Sequence, residues 1–349
     1  MEKRQEVVVI TGAGAGLARA VAREFARHGA SLGLISRNQR RLEAAKSEVE
    51  ALGGRAVTVS ADMAYADQVE AAAELIERQL GPIDIWVNGA MTTVFSPLHE
   101  MSPEEFKRVN DVTYMGYVHG TMAALKRMRP RNHGTIVQIG SALAYRPIPL
   151  QTAYCGAKHA IKGMTEGLRC ELMNEGSDVH VTLVEMPGLN TPQFDWCRSH
   201  LPQRARPVAP VYQPEVGARA VYWAAHQRRR QVYVGMSSVL TIWGNKLAPG
   251  LMDRFLAKTA VSGQQTPERE DPDRADNLWQ TVKGDLGARG RFSSESHDAS
   301  CQLWMTTNRT KLGLMAGAAI LAGVAFCATQ QRRHDRHRYD DDPLALSRH

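Results

Sequence analysis

Val7-Val8-Val9-Ile10-Thr11-Gly12-Ala13-Gly14-Ala15-Gly16 reads as a short apolar strand running into a glycine-rich turn, with a helical pattern following through Phe25 to His28-Gly29. Four apolar residues in a row suit a strand buried on both faces of a parallel sheet. Glycine permits the tight turn, and the unpaired N–H groups at the start of the next helix suit a pyrophosphate. A glycine cluster alone fits a plain structural turn as well. Its place between a strand and a helix favours a dinucleotide.

The unit repeats along the chain. Strands are expected at 31–35, 56–59, 83–87, 135–139, 179–184 and 231–234. Between them lie helical patterns at 39–52 and 66–80, a long region opening at Ser102-Pro103-Glu104-Glu105, and a helix running to about residue 174. Ser102 is placed to cap its helix, with Pro103 in the first turn. Such alternation predicts a Rossmann-like, doubly wound α/β fold, a parallel sheet of about seven strands. The Pro- and Arg-rich stretch 191–214 breaks the pattern and is expected to form a lid or loop beside the site.

Ser141 follows the fifth strand, and Tyr154 and Lys158 stand four apart on the next helix, one turn apart on the same face. A nearby ammonium favours ionisation of a phenol, which could then exchange a proton with a carbonyl or alcohol oxygen. A bare Tyr-x3-Lys is more often a buried Tyr beside a surface Lys, so the pair gains its meaning from the surrounding strand–turn–helix pattern. At the end of strand two, an acidic residue would bind the ribose hydroxyls of NAD. This chain has Ser36-Arg37 there, and Arg37 can pair with a 2′-phosphate, with Arg40 or Arg41 beside it. That favours NADP(H), with NAD(H) as the other possibility.

The chain has 349 residues, 43% hydrophobic and 23% charged, with a net charge of +7. No basic stripe interleaves with aromatics, so no nucleic-acid role is expected. Five scattered cysteines, Cys155, Cys170, Cys197, Cys301 and Cys327, read as free thiols in a reducing compartment. Cys155 reads as a packing residue and His159 as solvent-facing. His334 and His337 lack metal-ligand geometry, so no metal is expected. Residues 1–5 run directly into a strand, so no signal peptide is expected and the catalytic domain of a membrane-associated protein is expected in the cytoplasm.

Residues 1–262 are expected to form the catalytic domain and 263–308, polar and poor in apolar anchors, a disordered linker. Within 309–331, residues 312–329 carry no charge and are just long enough to span or associate with a membrane as a helix. Gly313 and Gly317 give it a GxxxG spacing. Arg332, Arg333, Arg336 and Arg338 open a charged tail over 332–349, and the orientation of the helix stays open.

Thr11-Gly12-x3-Gly16, Asp62, Asn88-Gly89-Ala90, Ser141, Tyr154-x3-Lys158 and Pro187-Gly188-x2-Thr191 occur in that order. Together they resemble the short-chain dehydrogenase/reductase family over roughly residues 5–260. The resemblance implies that Tyr154 is the general acid/base, that Lys158 lowers its pKa and binds the nicotinamide ribose, and that Ser141 holds the carbonyl oxygen. It implies a cofactor set of Thr11, Gly12, Gly14, Gly16, Leu17, Ser36, Arg37, Asp62, Met63, Asn88, Gly89, Ala90, Tyr154, Lys158, Pro187, Gly188, Leu189 and Thr191.

Three departures from the family pattern stand out. Ala18 replaces a loop glycine, Asn88-Gly89-Ala90-Met91 replaces Asn-Asn-Ala-Gly, and Thr113 stands where a relay asparagine is usual, with Asn110 one turn earlier. The expected activity is NADP(H)-dependent interconversion of a carbonyl and a secondary alcohol. Phe194, Trp196 and Leu201 in the lid, with the apolar helix, suggest a lipophilic substrate. The alternatives are a membrane-tethered cofactor-binding scaffold, or a dehydratase or epimerase on the same fold. Family habit also implies a homo-oligomer.

Overall fold

Seven parallel strands build the central sheet of the computed structural model, which describes residues 5–340. They are β1 (Val7–Thr11), β2 (Ser31–Ser36), β3 (Arg55–Ser60), β4 (Ile85–Asn88), β5 (Thr135–Ser141), β6 (His180–Met186) and β7 (Gln231–Tyr233). Their order is β7-β6-β5-β4-β1-β2-β3. β1 and β4 are neighbours although two strands separate them in sequence, so the chain reverses its direction of travel at β1 and opens a crevice there. Every residue of β1 is buried, which explains why it carries no polar alternation.

Helices cover both faces. α1 (Gly16–Arg27) packs on α2 (Gln39–Ala51) and on α7 (Pro214–Ala225), while α3 (Ala66–Leu80) packs on α5 (Gly116–Met128). α4 (Pro103–Asn110) begins at the expected cap. The Ser102 hydroxyl accepts from Glu105 N, and the Glu105 carboxylate accepts from Ser102 N. The long helix expected after it is divided by a π-helical turn, Asp111–Met115, before α5. α6 (Thr152–Asn174) carries Tyr154 and Lys158. A hairpin of α8 (Met236–Leu247) and α9 (Pro249–Gly263) follows β7 and leaves Leu240, Trp243, Leu247, Leu251 and Phe255 exposed.

Asn88, expected to meet the cofactor, is fully buried beneath the site. Its Oδ1 accepts from Trp86 Nε1 at 2.8 Å, and its Nδ2 donates to Gln138 Oε1 at 2.9 Å and Thr121 Oγ1 at 3.1 Å. It ties β4 to β5 and α5. A buried amide must satisfy its own polar atoms, and here the protein itself supplies all the partners.

The larger correction concerns residues 263–300. They form no linker but pack against the sheet domain, and the compact unit extends to Cys301. Gln265–Arg269 pairs with Gln203–Ala205, and Ser296–His297 with Val211–Tyr212. Leu278, Ala288 and Phe292 are buried. The polarity that reads as disorder serves ion pairs and hydrogen bonds to arginines of the first domain, described below.

A second unit begins at Gln302. Its helix α10 (Arg309–Asp340) has a stretch, Arg309–Ala328, of mean hydropathy 1.8 with none of its apolar residues buried. It is long and apolar enough to cross a membrane. The side chains of Arg332, Arg333, Arg336 and Arg338, and the charged tail past Asp340, lie outside the described residues.

Asn88→Leu would leave Trp86, Thr121 and Gln138 short of partners. Urea denaturation should show a loss of roughly 1–3 kcal/mol, the usual cost of a buried unsatisfied polar group.

Candidate active site

A cleft of about 450 Å³ opens along the carboxyl ends of the strands. One end is walled by the turn after β1. Gly12 has φ +76°, and a Cβ there would come within 2.8 Å of Ala90 Cα. Gly16 has φ +61°. Both positions need glycine, the first because backbone of the β4 loop passes against it. The Thr11 hydroxyl accepts from Gly89 N at 2.9 Å and Ala90 N at 3.2 Å, fastening the two loops together. Thr11 is therefore a buried brace and, with Asn88, does not line the cleft.

The remaining expected cofactor residues do line it: Gly12, Gly14, Gly16, Leu17, Ser36, Arg37, Asp62, Met63, Gly89, Ala90, Pro187, Gly188, Leu189 and Thr191. Asp62 also accepts from Arg108 and from Ala64 N, so its carboxylate is already held by the protein. A Cβ on Gly14 would fall 2.7 Å from Ser36 Oγ. That buried hydroxyl has no partner among the described residues. Arg41 is buried and lines the cleft, stacked 4.3 Å from the centre of the Trp196 ring, whereas Arg40 faces solvent.

Ser141, Tyr154 and Lys158 meet midway along the cleft. Ser141 Oγ accepts from Leu143 N at 3.1 Å, and the serine side chain touches the Tyr154 phenol by a hydrogen bond that favours the phenolate. Burial outweighs that contact and pushes the phenol well up. Lys158 Nζ lies 5.5 Å from the centre of the Tyr154 ring. It donates to Ile139 O at 2.7 Å and to Tyr117 Oη at 3.1 Å. Burial lowers its pKa to about 7, against a smaller opposing pull from Glu185. The sequence expectation that Lys158 makes the phenol more acidic is not met: burial raises the phenol, and the downward pull comes from Ser141. Burial thus favours the neutral phenol at Tyr154.

The relay position also differs. Thr113 Oγ1 donates to Thr92 O at 2.9 Å, and Asn110 Nδ2 donates to Phe106 O at 2.9 Å. Neither reaches Lys158. Tyr117, in the first turn of α5, does, and its hydroxyl donates to Ile139 O at 3.0 Å. Cys155 is buried and His159 exposed, as expected.

Sequence reading missed Tyr117 and Glu185. Glu185 is fully buried in β6 beside Gly140, accepting from Gln231 Nε2 at 2.9 Å. Burial raises its carboxyl to about 7, with Lys158 pulling the other way. A lone Glu inside Val181-Thr182-Leu183-Val184-Glu185-Met186 was the available signal.

A carboxyl whose folded pKa is raised binds its proton more tightly in the native state, so its cost grows as pH rises from the unfolded value to the folded one. Between pH 4.5 and about 7 the wild type should lose unfolding free energy relative to Glu185→Gln, measured by urea titration at several pH values. Parallel curves across that window would contradict the assignment.

Residues 6–200 match the sequence profile of the short chain dehydrogenases. The chain is 30% identical over 335 residues to the uncharacterized oxidoreductase YxnA of Bacillus subtilis, covering 95% of this chain and 92% of that protein. It is 32% identical over 222 residues to 3-dehydrosphinganine reductase of Danio rerio, across 61% of this chain and 66% of that one. A metagenomic short-chain oxidoreductase in complex with NADP superimposes with a TM-score of 0.56 at 27% identity, over 66% of this chain and 96% of its own. Profile, relatives and superposition agree: the chain belongs to the short chain dehydrogenase family, oxidoreductases that act on CH–OH groups and their carbonyl counterparts with a nicotinamide cofactor.

Proposed function

We propose that this enzyme interconverts a carbonyl and a secondary alcohol, prefers NADP(H) to NAD(H), and takes a lipophilic substrate while tethered to a membrane. One observation carries the cofactor preference. At the end of β2, Arg37 and Arg41 have no carboxylate partner among the described residues and bond only to neutral backbone carbonyls. A guanidinium taken from water without a directly bonded anion is costly, and burial lowers the pKa of both against the partial pull of Asp62 and Asp276 on Arg37 and of Asp285 on Arg41. A 2′-phosphate would supply the missing charge, with the unpartnered Ser36 hydroxyl beside it.

Gly12, Gly14, Gly16 and Leu17 would hold the pyrophosphate, and Pro187 to Thr191 the nicotinamide end. A bound nicotinamide supplies or accepts the hydride at the carbonyl carbon. The chain's own part is the proton. Ser141 orients the carbonyl oxygen, and Tyr154, kept neutral by burial, donates its proton to that oxygen during reduction. Lys158, fixed by Ile139 and Tyr117, places its ammonium beneath the phenolate that results.

The lipophilic substrate rests on the far end of the cleft, where Leu143, Ile148, Val208, Met252, Phe255 and Leu256 form the lining. Phe255 belongs to the α8–α9 hairpin, which exposes several large apolar side chains. The apolar helix Arg309–Ala328 is the proposed tether. The similar protein from Danio rerio is a 3-dehydrosphinganine reductase.

Tyr154→Phe should lower kcat by about 10²–10⁴, the usual share of a general acid, while NADPH still binds. Retained turnover would exclude the mechanism. Arg37→Ala should cut the NADPH-over-NADH preference in kcat/KM by roughly 10–100-fold, the worth of a charged hydrogen bond. An unchanged ratio would exclude the 2′-phosphate assignment. In a series of ketones of rising chain length, kcat/KM should climb with length; a flat or falling series would exclude the lipophilic substrate.

A further inference from the structure

The family profile ends at residue 200, yet the cleft is lined in part by Asn277 and Thr281, far beyond it. We propose that residues 277–287 are the outer wall of the cofactor site, a strap that a 2′-phosphorylated dinucleotide tightens. The proposal rests on the NADP(H) reading above.

The strap is fastened at both ends and along its length. At its start, Asn277 N donates to Trp196 O at 2.8 Å, and the Leu278 side chain is fully buried in a cluster with Val94, Met101, Val109 and Ala153. Along the middle, Arg37 donates to the carbonyls of Asn277, Leu278 and Trp279. Arg108 Nε donates to Leu278 O at 3.0 Å. Arg41 donates to Val282 O at 2.7 Å and to Gly284 O at 2.8 Å, and Asn38 Nδ2 to Thr281 Oγ1 at 3.1 Å. At its end, Gly287 O accepts from Gly16 N at 3.0 Å. Asp285 pairs with the buried Arg19, which also donates to Gly14 O at 3.3 Å.

The strap's partners are thus the site's own parts: the glycine turn at one end and both phosphate-facing arginines in the middle. Arg37 and Arg41 each spend some N–H groups on strap carbonyls and keep others, since a guanidinium has five. A phosphate taking the remaining donors would fix the two planes and, through them, the strap. A dinucleotide without the 2′-phosphate lacks that grip. Linkage requires the converse: whatever loosens the strap weakens NADPH more than NADH. Asp285 is accordingly a positioning residue, acting through Arg19 and the glycine turn.

The test uses the full chain. Amide hydrogen exchange across 277–287 is followed alone, with saturating NADPH and with saturating NADH. Exchange should slow by about tenfold or more with NADPH and distinctly less with NADH, within the usual 5–150-fold range of coupling between sites. Stopped-flow release from Asp285→Ala should accelerate for NADPH by a similar factor and much less for NADH, with Asp285→Glu recovering part of the loss. Equal protection by both nucleotides, no protection, or equal acceleration of both would overturn the strap assignment while leaving NADPH binding intact. A wild type that binds neither nucleotide would overturn the cofactor reading and this proposal together. If Asp285→Ala does not fold, the exchange measurement on the wild type decides.

Discussion

The arrangement depends on how closely β1 and β4 can approach at their carboxyl ends. Backbone meets backbone there: no Cβ fits at Gly12, and the Thr11 hydroxyl holds the amides of Gly89 and Ala90. Any widening would separate the glycine turn from the loop that closes the opposite wall. Below this crossing, the Asn88 amide locks β4 to β5, and β5 delivers Ser141. The strand that carries the serine is thus held by a polar contact with its immediate neighbour.

Around Tyr154 the protein gathers titratable groups in a poor solvent. Lys158, Glu185, Tyr117 and Tyr154 share one region, and burial moves each toward its neutral form. Lysine and glutamate lie close to the same value, near neutrality, so their protonation states depend on each other. Tyr117 and Ile139 O aim the ammonium without adding a further charge. The usual asparagine position on this helix has instead become Thr113, spent on the backbone of Thr92.

Much of the architecture could be read from local pattern, because buried parallel strands are short apolar runs and the turns between them carry glycine. Ser141, Tyr154 and Lys158 were legible for the same reason: each falls where a strand ends or where helix spacing sets a face. That the Thr11 and Asn88 side chains turn inward could not be read, because motif position says where a backbone lies, not which way its side chain points. Tyr117 escaped notice since one tyrosine on a helix gives no signal without its partner on another element. The strap was the largest miss. A polar, glycine-containing stretch has the composition of a disordered chain, and only long-range pairing with Arg19, Arg37, Arg41 and Arg108 gives it a structure.

The distance in sequence spanned by those pairings bears on how the protein is made. Arg19 and Asp285 are 266 residues apart, and Arg37 and its strap carbonyls 240 to 242. During synthesis the sheet domain emerges first, so these guanidiniums wait without their partners until the ribosome has passed residue 287. Contacts of such high sequence separation form late. A chain stopped near residue 262 would be a persistent version of that waiting state, its cofactor end ragged and its Arg19 half-paired. Growth of the nascent chain and completion of the site therefore coincide, and the apolar helix follows immediately after.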